Sequence, residues 1–343
     1  MRWGNPSAFS FQLGFLLPKK GHELHGFLNY FTAHFHDLRL EFWGLLIGGI
    51  GSGIIYAMVA IGYTMVYGVL RLINFAHSEI FMTGAFAGYF TLNYLIGDSS
   101  PSGITSILLI VVGILAGGLT GSFFAVVLER VAYRPLRIRK APKIAYLISA
   151  IGASYFLLNI AAKEFGRIGR GITQPYENHT VFTIFGATVQ MYNIIIFISA
   201  GIMLIIVDRL VNKTKLGRSI RSVAQDSETA SLMGVDIDKT IAMTFVIGGF
   251  LGGAAGFLYA MNVGVLYSMG FTPALKAFTA AVLGGIGNLR GAVIGGLILG
   301  VTESFTVVFF SGAYTDVVAF AILVLVLMFR PTGILGELIG RSA

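Results

Sequence analysis

A chain of 343 residues with 45 glycines, 55% hydrophobic residues and only 12% charged ones is not an ordinary soluble domain. Its mean hydropathy of +0.80 and its recurring apolar runs of about 18 residues or more describe a polytopic α-helical membrane protein. An outer-membrane barrel is excluded because short segments alternating with period two are absent. The formal charge of +8 is no nucleic-acid footprint either, since the basic residues cluster in loops beside the spans.

Residues 1–42 read as an amino-terminal extension unlike the rest of the chain. Phe9–Leu17 is apolar but about half a span long, and its basic flank, Lys19-Lys20, comes after it, the reverse of a signal peptide. His22, His25, His34 and His36 invite a metal reading, with His34 and His36 as a possible pair. An amphipathic interfacial segment with aromatics among the headgroups is the expectation. The lack of cysteine removes disulfides, thiolate metal sites and thiol catalysis.

Beyond the extension lie nine apolar segments: Trp43–Leu70, Ile80–Ile96, Ile104–Leu128, Ile144–Ala162, Met191–Val211, Lys239–Asn262, Phe271–Arg290, Gly291–Val301 and Asp316–Phe329. Eight or nine of them are predicted to cross the bilayer, giving an all-α membrane domain over 43–336 and a cytoplasmic tail over 337–343. Lys/Arg-rich loops face the cytoplasm, which places Glu129–Lys140, the region after Val211 and Arg330 inside. Lys163–Gln190 is then an outer polar loop, and its Asn178-His179-Thr180 sequon is a chance match. Gly48-Gly49, Gly51, Gly53, Gly248-Gly249, Gly252-Gly253 and Gly256 are predicted helix-packing faces, because small residues let backbones approach.

Residues 212–238 are polar and lie between two apolar spans. Within Leu216–Asp238, Ile220, Val223, Ala224, Ala230, Leu232 and Met233 recur at roughly helical spacing, and charges and hydroxyls cover the rest. Asp226 and Glu228 sit near the start of the second turn of that helix, and Gly234 suits a left-handed cap that ends it. A solvated interhelical loop is the plainer reading of these residues, and a short amphipathic helix held at the cytoplasmic surface is a docking surface. Its candidate residues are Arg218, Arg221, Asp226, Glu228, Ala230 and Gly234.

Two polar interruptions occupy matching places, Asn74–Ala85 and Phe271–Val282. Each comes after a glycine-rich span and continues into Phe, Thr and small residues. This is the pattern of an inverted-topology repeat whose interrupted helices line one pathway. Tyr67, Asn74, His77, Glu79, Thr83, Lys276 and Thr279 are the candidate lining residues. An ion-coupled carrier acting alone also uses inverted repeats, but it would want carboxylates deep inside spans. Glu79, Glu303 and Asp316 are expected at segment ends. Gly284–Gly287 lacks the Lys-Ser/Thr ending of a phosphate-binding loop, so it is read as a helix break and no ATPase motif remains.

Several of these stretches together resemble one family. Gly62–His77 (GYTMVYGVLRLINFAH), Glu129–Arg137 (ERVAYRPLR), Lys276–Gly287 (KAFTAAVLGGIG) and Phe329–Gly333 (FRPTG) are similar, in order, to the Liv-type permeases of branched-chain amino-acid ABC importers. Glu228, Ala230 and Gly234 have the spacing of the E-x-A-x3-G coupling loop of ABC importer permeases, with Thr229 where the motif usually has Ala. Ser78-Glu79 stands where many members have Gly-Asp or Gly-Glu, and permeases for urea and short amides are similar in outline. The resemblance implies a multi-pass subunit of a prokaryotic inner membrane that is not an enzyme and holds no cofactor of its own. Its implied partners are a second similar permease, two cytoplasmic ATPases that use the ATP, a periplasmic amino-acid-binding protein and the lipid bilayer, with no nucleic acid.

Overall fold

The computed structural model describes residues 22–97, 101, 103–176, 179–310, 312–330 and 332–336, with side chains from Glu41 onward. The four amino-terminal histidines (as side chains), Phe9–Leu17, Asn178 and residues 337–343 lie outside what is described. In chain order the helices are α1 (His22–Leu70), α2 (His77–Ile96), α3 (Ile104–Leu128), α4 (Arg134–Ile138), α5 (Lys143–Phe165) and α6 (Met191–Lys213). They continue with α7 (Lys215–Gln225), α8 (Ser227–Leu232), α9 (Ile237–Val263), α10 (Phe271–Gly284), α11 (Leu289–Phe309) and α12 (Thr315–Phe329). A π-helical turn, Glu129–Tyr133, joins α3 to α4.

Among the described residues, seven helical stretches are long and apolar enough to cross a membrane, fewer than the eight or nine expected. Two segments account for the difference. The 20-residue α2 opens on His77, Ser78 and Glu79, and its polar residues leave it out of the seven. The α10 helix has only 14 residues, because Gly285 and Gly287 take φ values of +108° and +100° and stop it at Gly284. The chain lost there reappears in α11, which is longer than Gly291–Val301 and runs on to Phe309. Glu303 therefore lies inside a span, not at its end.

A second departure from an all-helical chain is the antiparallel hairpin of β1 (Thr180–Ile184) and β2 (Ala187–Gln190). Phe185 and Gly186 both have positive φ, +48° and +88°, the requirement of a two-residue hairpin turn. Thr, Val and Ile on either side favour strand. The Trp43 ring stacks on Phe185 at 4.9 Å, which fixes the hairpin against α1.

Packing is set by the glycines. A Cβ on Gly53 would approach the Gly296 carbonyl and Leu297 Cα to 2.9 Å, so α1 and α11 touch backbone to backbone. Any side chain at Gly84 or Gly253 would overlap the facing backbone, and Gly117 and Gly121 bring α3 into the same contact with α9. In hydrocarbon, where lipid is as apolar as leucine, such close approach supplies the dispersion and hydrogen-bond contacts that hold helices together. The α9 helix is consequently the most enclosed of the seven, with α1, α2 and α3 around it.

All the strongly basic loops lie at one end of the bundle. Arg137 meets Asp238 at 2.7 Å and the buried Glu129 at 3.0 Å, and Arg134 meets Asp238 at 3.3 Å, tying the α3–α5 connection to the start of α9. The end of α1 reaches the same place at Gly68, where an added Cβ would lie 3.9 Å from the Ala224 methyl. The hairpin, and the bridge pairing Arg170 with Val265, lie at the opposite end.

Candidate functional site

The polar segment between α6 and α9 forms two helices where one was expected. The backbone extends at Asp226 (φ −153°, ψ 110°), ending α7 and starting α8. Asp226 caps the new helix, with Oδ1 accepting from the Glu228 and Thr229 N–H groups at 3.0 and 3.3 Å and Oδ2 accepting from the Thr229 hydroxyl at 2.5 Å. The Thr229 hydroxyl and N–H, then the Glu228 N–H, hold the Asp226 carboxyl below the usual carboxylate range. Gly234 ends the unit with φ +85°, the left-handed conformation expected of it.

The break changes which residues face inward. Ile220, Val223 and Ala230 are buried as their spacing suggested, but Leu232 and Met233 are 88% and 81% exposed. Arg218, Asp226 and Glu228 are also exposed, and Arg221 hydrogen-bonds the Val211 carbonyl. Two bare apolar side chains beside an acidic helix start make α7 and α8 an exposed knob.

The chain leaves helix twice here and the two breaks meet inside the bundle, but not with the expected bounds. Asn74–Ala85 becomes helical at His77, and Phe271–Val282 lies wholly within α10, the break falling just before it. The first, residues 71–76, leaves α1 beside α7; the second, residues 264–270, leaves α9 beside Arg170. They come together where a Cβ on Gly270 would strike the Ser78 carbonyl. Within the first, Asn74 Oδ1 accepts from the Ala76 N–H at 3.1 Å and from the Tyr133 hydroxyl at 2.8 Å. The first of these satisfies a backbone N–H that no helix serves there, and the second ties the break to the turn between α3 and α4. His77 is 1% exposed and fills the space left by Gly62 and Gly252, with Tyr63 4.7 Å away ring to ring.

A cavity of about 500 Å³ opens at this meeting point. It draws Tyr63 from α1, Ile73 and Phe75 from the first interruption, Ser78 and Glu79 from α2, and Ser154 from α5. Ser268, Thr272 and Phe278 come from the second interruption and α10. Glu79 is 2% exposed, and its Oε1 accepts from Ser78 and Ser154, both at 3.1 Å.

The predicted lining residues divide. Glu79 lines this cavity, and Tyr67 lines a smaller one nearby with Thr64 and Ile286. Asn74 and His77 shape the break without lining the cavity, while Thr83 and Thr279 bond carbonyls of their own helices. Lys276 turns away: its Nζ lies 2.5 Å from Glu303 Oε1 and 2.8 Å from Asp316 Oδ1, and Tyr56 donates to Glu303 Oε2 at 2.8 Å. Ser154 and Ser268 were missed, because a lone hydroxyl inside an apolar run gives no signal until helices converge, and Thr272 was not singled out from the stretch Phe271–Val282 that contains it.

Comparison with known proteins agrees with this architecture. The family described as branched-chain amino acid transport system / permease component matches residues 45–327. The high-affinity branched-chain amino acid transport system permease protein BraD of Pseudomonas aeruginosa is 40% identical over 297 residues, 85% of this chain and 95% of that protein. Its counterpart LivH of Escherichia coli (strain K12) is 39% identical over 304 residues, 87% of this chain and 96% of that one. A probable branched-chain amino acid transport permease protein, LivM, of Methanocaldococcus jannaschii is 25% identical over 320 residues, 88% of this chain and 89% of that one. This chain is a multi-pass membrane protein belonging to the family of permease components of branched-chain amino acid transport systems.

Proposed function

We propose that this chain carries branched-chain or other neutral amino acids across a prokaryotic inner membrane as one of two permeases in an ATP-driven importer. The observation that supports this most is the exposed α7–α8 knob, whose Leu232 and Met233 stand free beside the Asp226-capped helix start. One of two cytoplasmic ATPases seats this knob, a second permease of similar sequence completes the membrane part, and a periplasmic binding protein delivers the cargo. The existence of a LivM-type relative is in keeping with a permease pair.

Force applied to the knob reaches the pathway through Arg71, which bonds the end of α7 and begins the first interruption. The two halves, inverted repeats of each other, then rock about the cavity in alternating access. In support, α2 and α10 both start from non-helical stretches that enter from opposite ends and line one cavity. Residues 1–42 add an interfacial segment to the start of the permease.

The test is reconstitution into liposomes. The complete complex takes up leucine only with internal ATP and the binding protein, and this chain alone takes up none. Gradient-driven uptake by the chain alone, or ATP-independent uptake by the complex, would overturn the reading.

A further inference from the structure

We propose that the cavity at the meeting of the two interruptions is a transit site that reads the primary ammonium group of an amino acid through the Glu79 carboxylate. This deepens the importer reading and rests on it for the class of cargo. At about 500 Å³ the space falls within the roughly 300–1,000 Å³ typical of small-molecule sites.

The charge balance of the site is what points to a cation. Glu79 is almost wholly buried, and among the described residues no Lys or Arg forms an ion pair with it. Both of its hydrogen bonds, from Ser78 and Ser154, end on Oε1. A carboxylate held out of water without a cation is costly, and the Ser154 hydroxyl together with a Ser78 hydroxyl shared with the Phe75 carbonyl offsets only part of the loss. The other structural carboxylates withdrawn from solvent have a cation beside them, Arg137 for Glu129 and Lys276 for Glu303. Glu79 instead borders open space, so the missing positive charge is one that arrives through the cavity and leaves again.

The rest of the lining suits the remainder of a small apolar amino acid. Ile73, Ile151, Leu158 and Phe278 offer an aliphatic and aromatic wall for a branched side chain. Phe271 and Thr272, at the start of α10, also line the space. The N-cap of that helix, Gly270, provides no side-chain bond, and the N–H groups of Phe271 and Thr272 make no backbone bond among the described residues. Free donors at the positive end of a helix suit the carboxylate of the same molecule. The ligand is thus gripped at both charges by groups that belong to two moving halves. A neutral amide such as urea would leave the charge on Glu79 unanswered.

The absence of cysteine in this chain makes a direct test possible. In the complete importer, Leu158→Cys supplies the one thiol on this subunit, and its rate of maleimide labelling is read on this subunit's mass. Leucine should slow the labelling, whereas 4-methylpentanoate, the same skeleton without the ammonium group, should not. In a Glu79→Gln background the half-protecting leucine concentration should rise on the order of tenfold to a hundredfold, the scale of one charged hydrogen bond. Glu79→Asp should recover part of it. Ser268→Cys serves as a second reporter should the first variant fail to assemble, and size-exclusion of the complex checks assembly.

Equal protection with Glu79 and with Gln, or protection by 4-methylpentanoate as strong as by leucine, overturns the proposal. So does an unprotected thiol in a complex that takes up leucine with ATP, and that result leaves the importer reading standing. Protection by leucine in a complex with no ATP-dependent uptake sustains the site and removes the importer reading instead.

Discussion

The guanidinium of Arg71 lies 3.2 Å from the carbonyl oxygen of Gln225, the last residue of α7, and 3.4 Å from that of Ala224. A cation at the negative end of a helix is favourable, and the bond makes α7 continuous with the chain that leaves α1. Arg71 takes φ +54°, a left-handed conformation that costs a side-chain-bearing residue about 1–3 kcal/mol. Three residues later Asn74 organises the first interruption, and Glu79 lies five positions further on. A single residue therefore connects the exposed knob with the cavity.

Arg71→Ala should loosen that connection without disturbing the membrane fold. ATPase activity of the complete importer is expected to persist while leucine taken up per ATP hydrolysed falls about fivefold or more, the equivalent of one hydrogen bond of about 1 kcal/mol. An unchanged transport-to-hydrolysis ratio would dismiss Arg71 as a link.

The knob itself should fail at its two ends. Gly234→Pro forbids the φ of +85°, and Glu228→Arg puts a cation at the positive start of α8. Either variant should insert normally and lose ATPase co-purification. Retention of both the ATPases and uptake would mean the knob is not where force enters.

The Asp226 cap predicts a pH dependence of definite sign. Because its hydrogen bonds lower the carboxyl pKa in the folded state, the cap is fully formed above the unfolded value of about 3.9 and is lost as pH falls through the folded one. Amide exchange at Glu228 and Thr229, corrected for its intrinsic pH dependence, should be steady from about pH 5 to 8 and quicken below about 4. Asp226→Asn caps without ionising and should abolish that change.

The glycine contacts predict a contrast within one residue type. Gly253→Ala drives a methyl into the Gly117 carbonyl and should destabilise the bundle by about 1–3 kcal/mol or more. Gly152→Ala and Gly201→Ala meet nothing within 4 Å and should be silent. Thermal melts of the detergent-solubilised protein distinguish them, and equal effects would mean that the packing lies elsewhere.

Lys276 should prove structural. Lys276→Met leaves Glu303 and Asp316 facing each other without a cation, at a cost of about 3–5 kcal/mol for the buried member. Asp316→Asn, at a half-exposed position, should cost much less. A Lys276→Met, Glu303→Leu double variant should partly recover the melting temperature, because the unpaired charge is then gone.

The order of spans, the basic end of the bundle, the polar knob and the first interruption were legible in the chain because each depends on local composition, whereas the second break fell just before the Phe271–Val282 expected for it. Hydrocarbon demands long apolar runs, basic loops stay on one side, and a polar patch within such a run is conspicuous. Gly234 was legible for the same reason, since a left-handed cap needs a glycine whatever surrounds it.

What the chain in isolation left undecided were matters of convergence. That Glu79 meets Ser154 from a helix 75 positions away, that Lys276 turns to Glu303, and that Gly270 abuts Ser78 result from packing, not from spacing. The exposure of Leu232 and Met233 was likewise set by the turn at Asp226, which moved α8 out of register with α7. Sequence determined where this protein would be apolar, where it would bend and which end would carry the positive charge, because those are energies of single segments in lipid or water. Tertiary structure decided which polar groups would share a cavity and which would neutralise each other, because in a medium without water each buried charge is settled only by the neighbour that packing supplies.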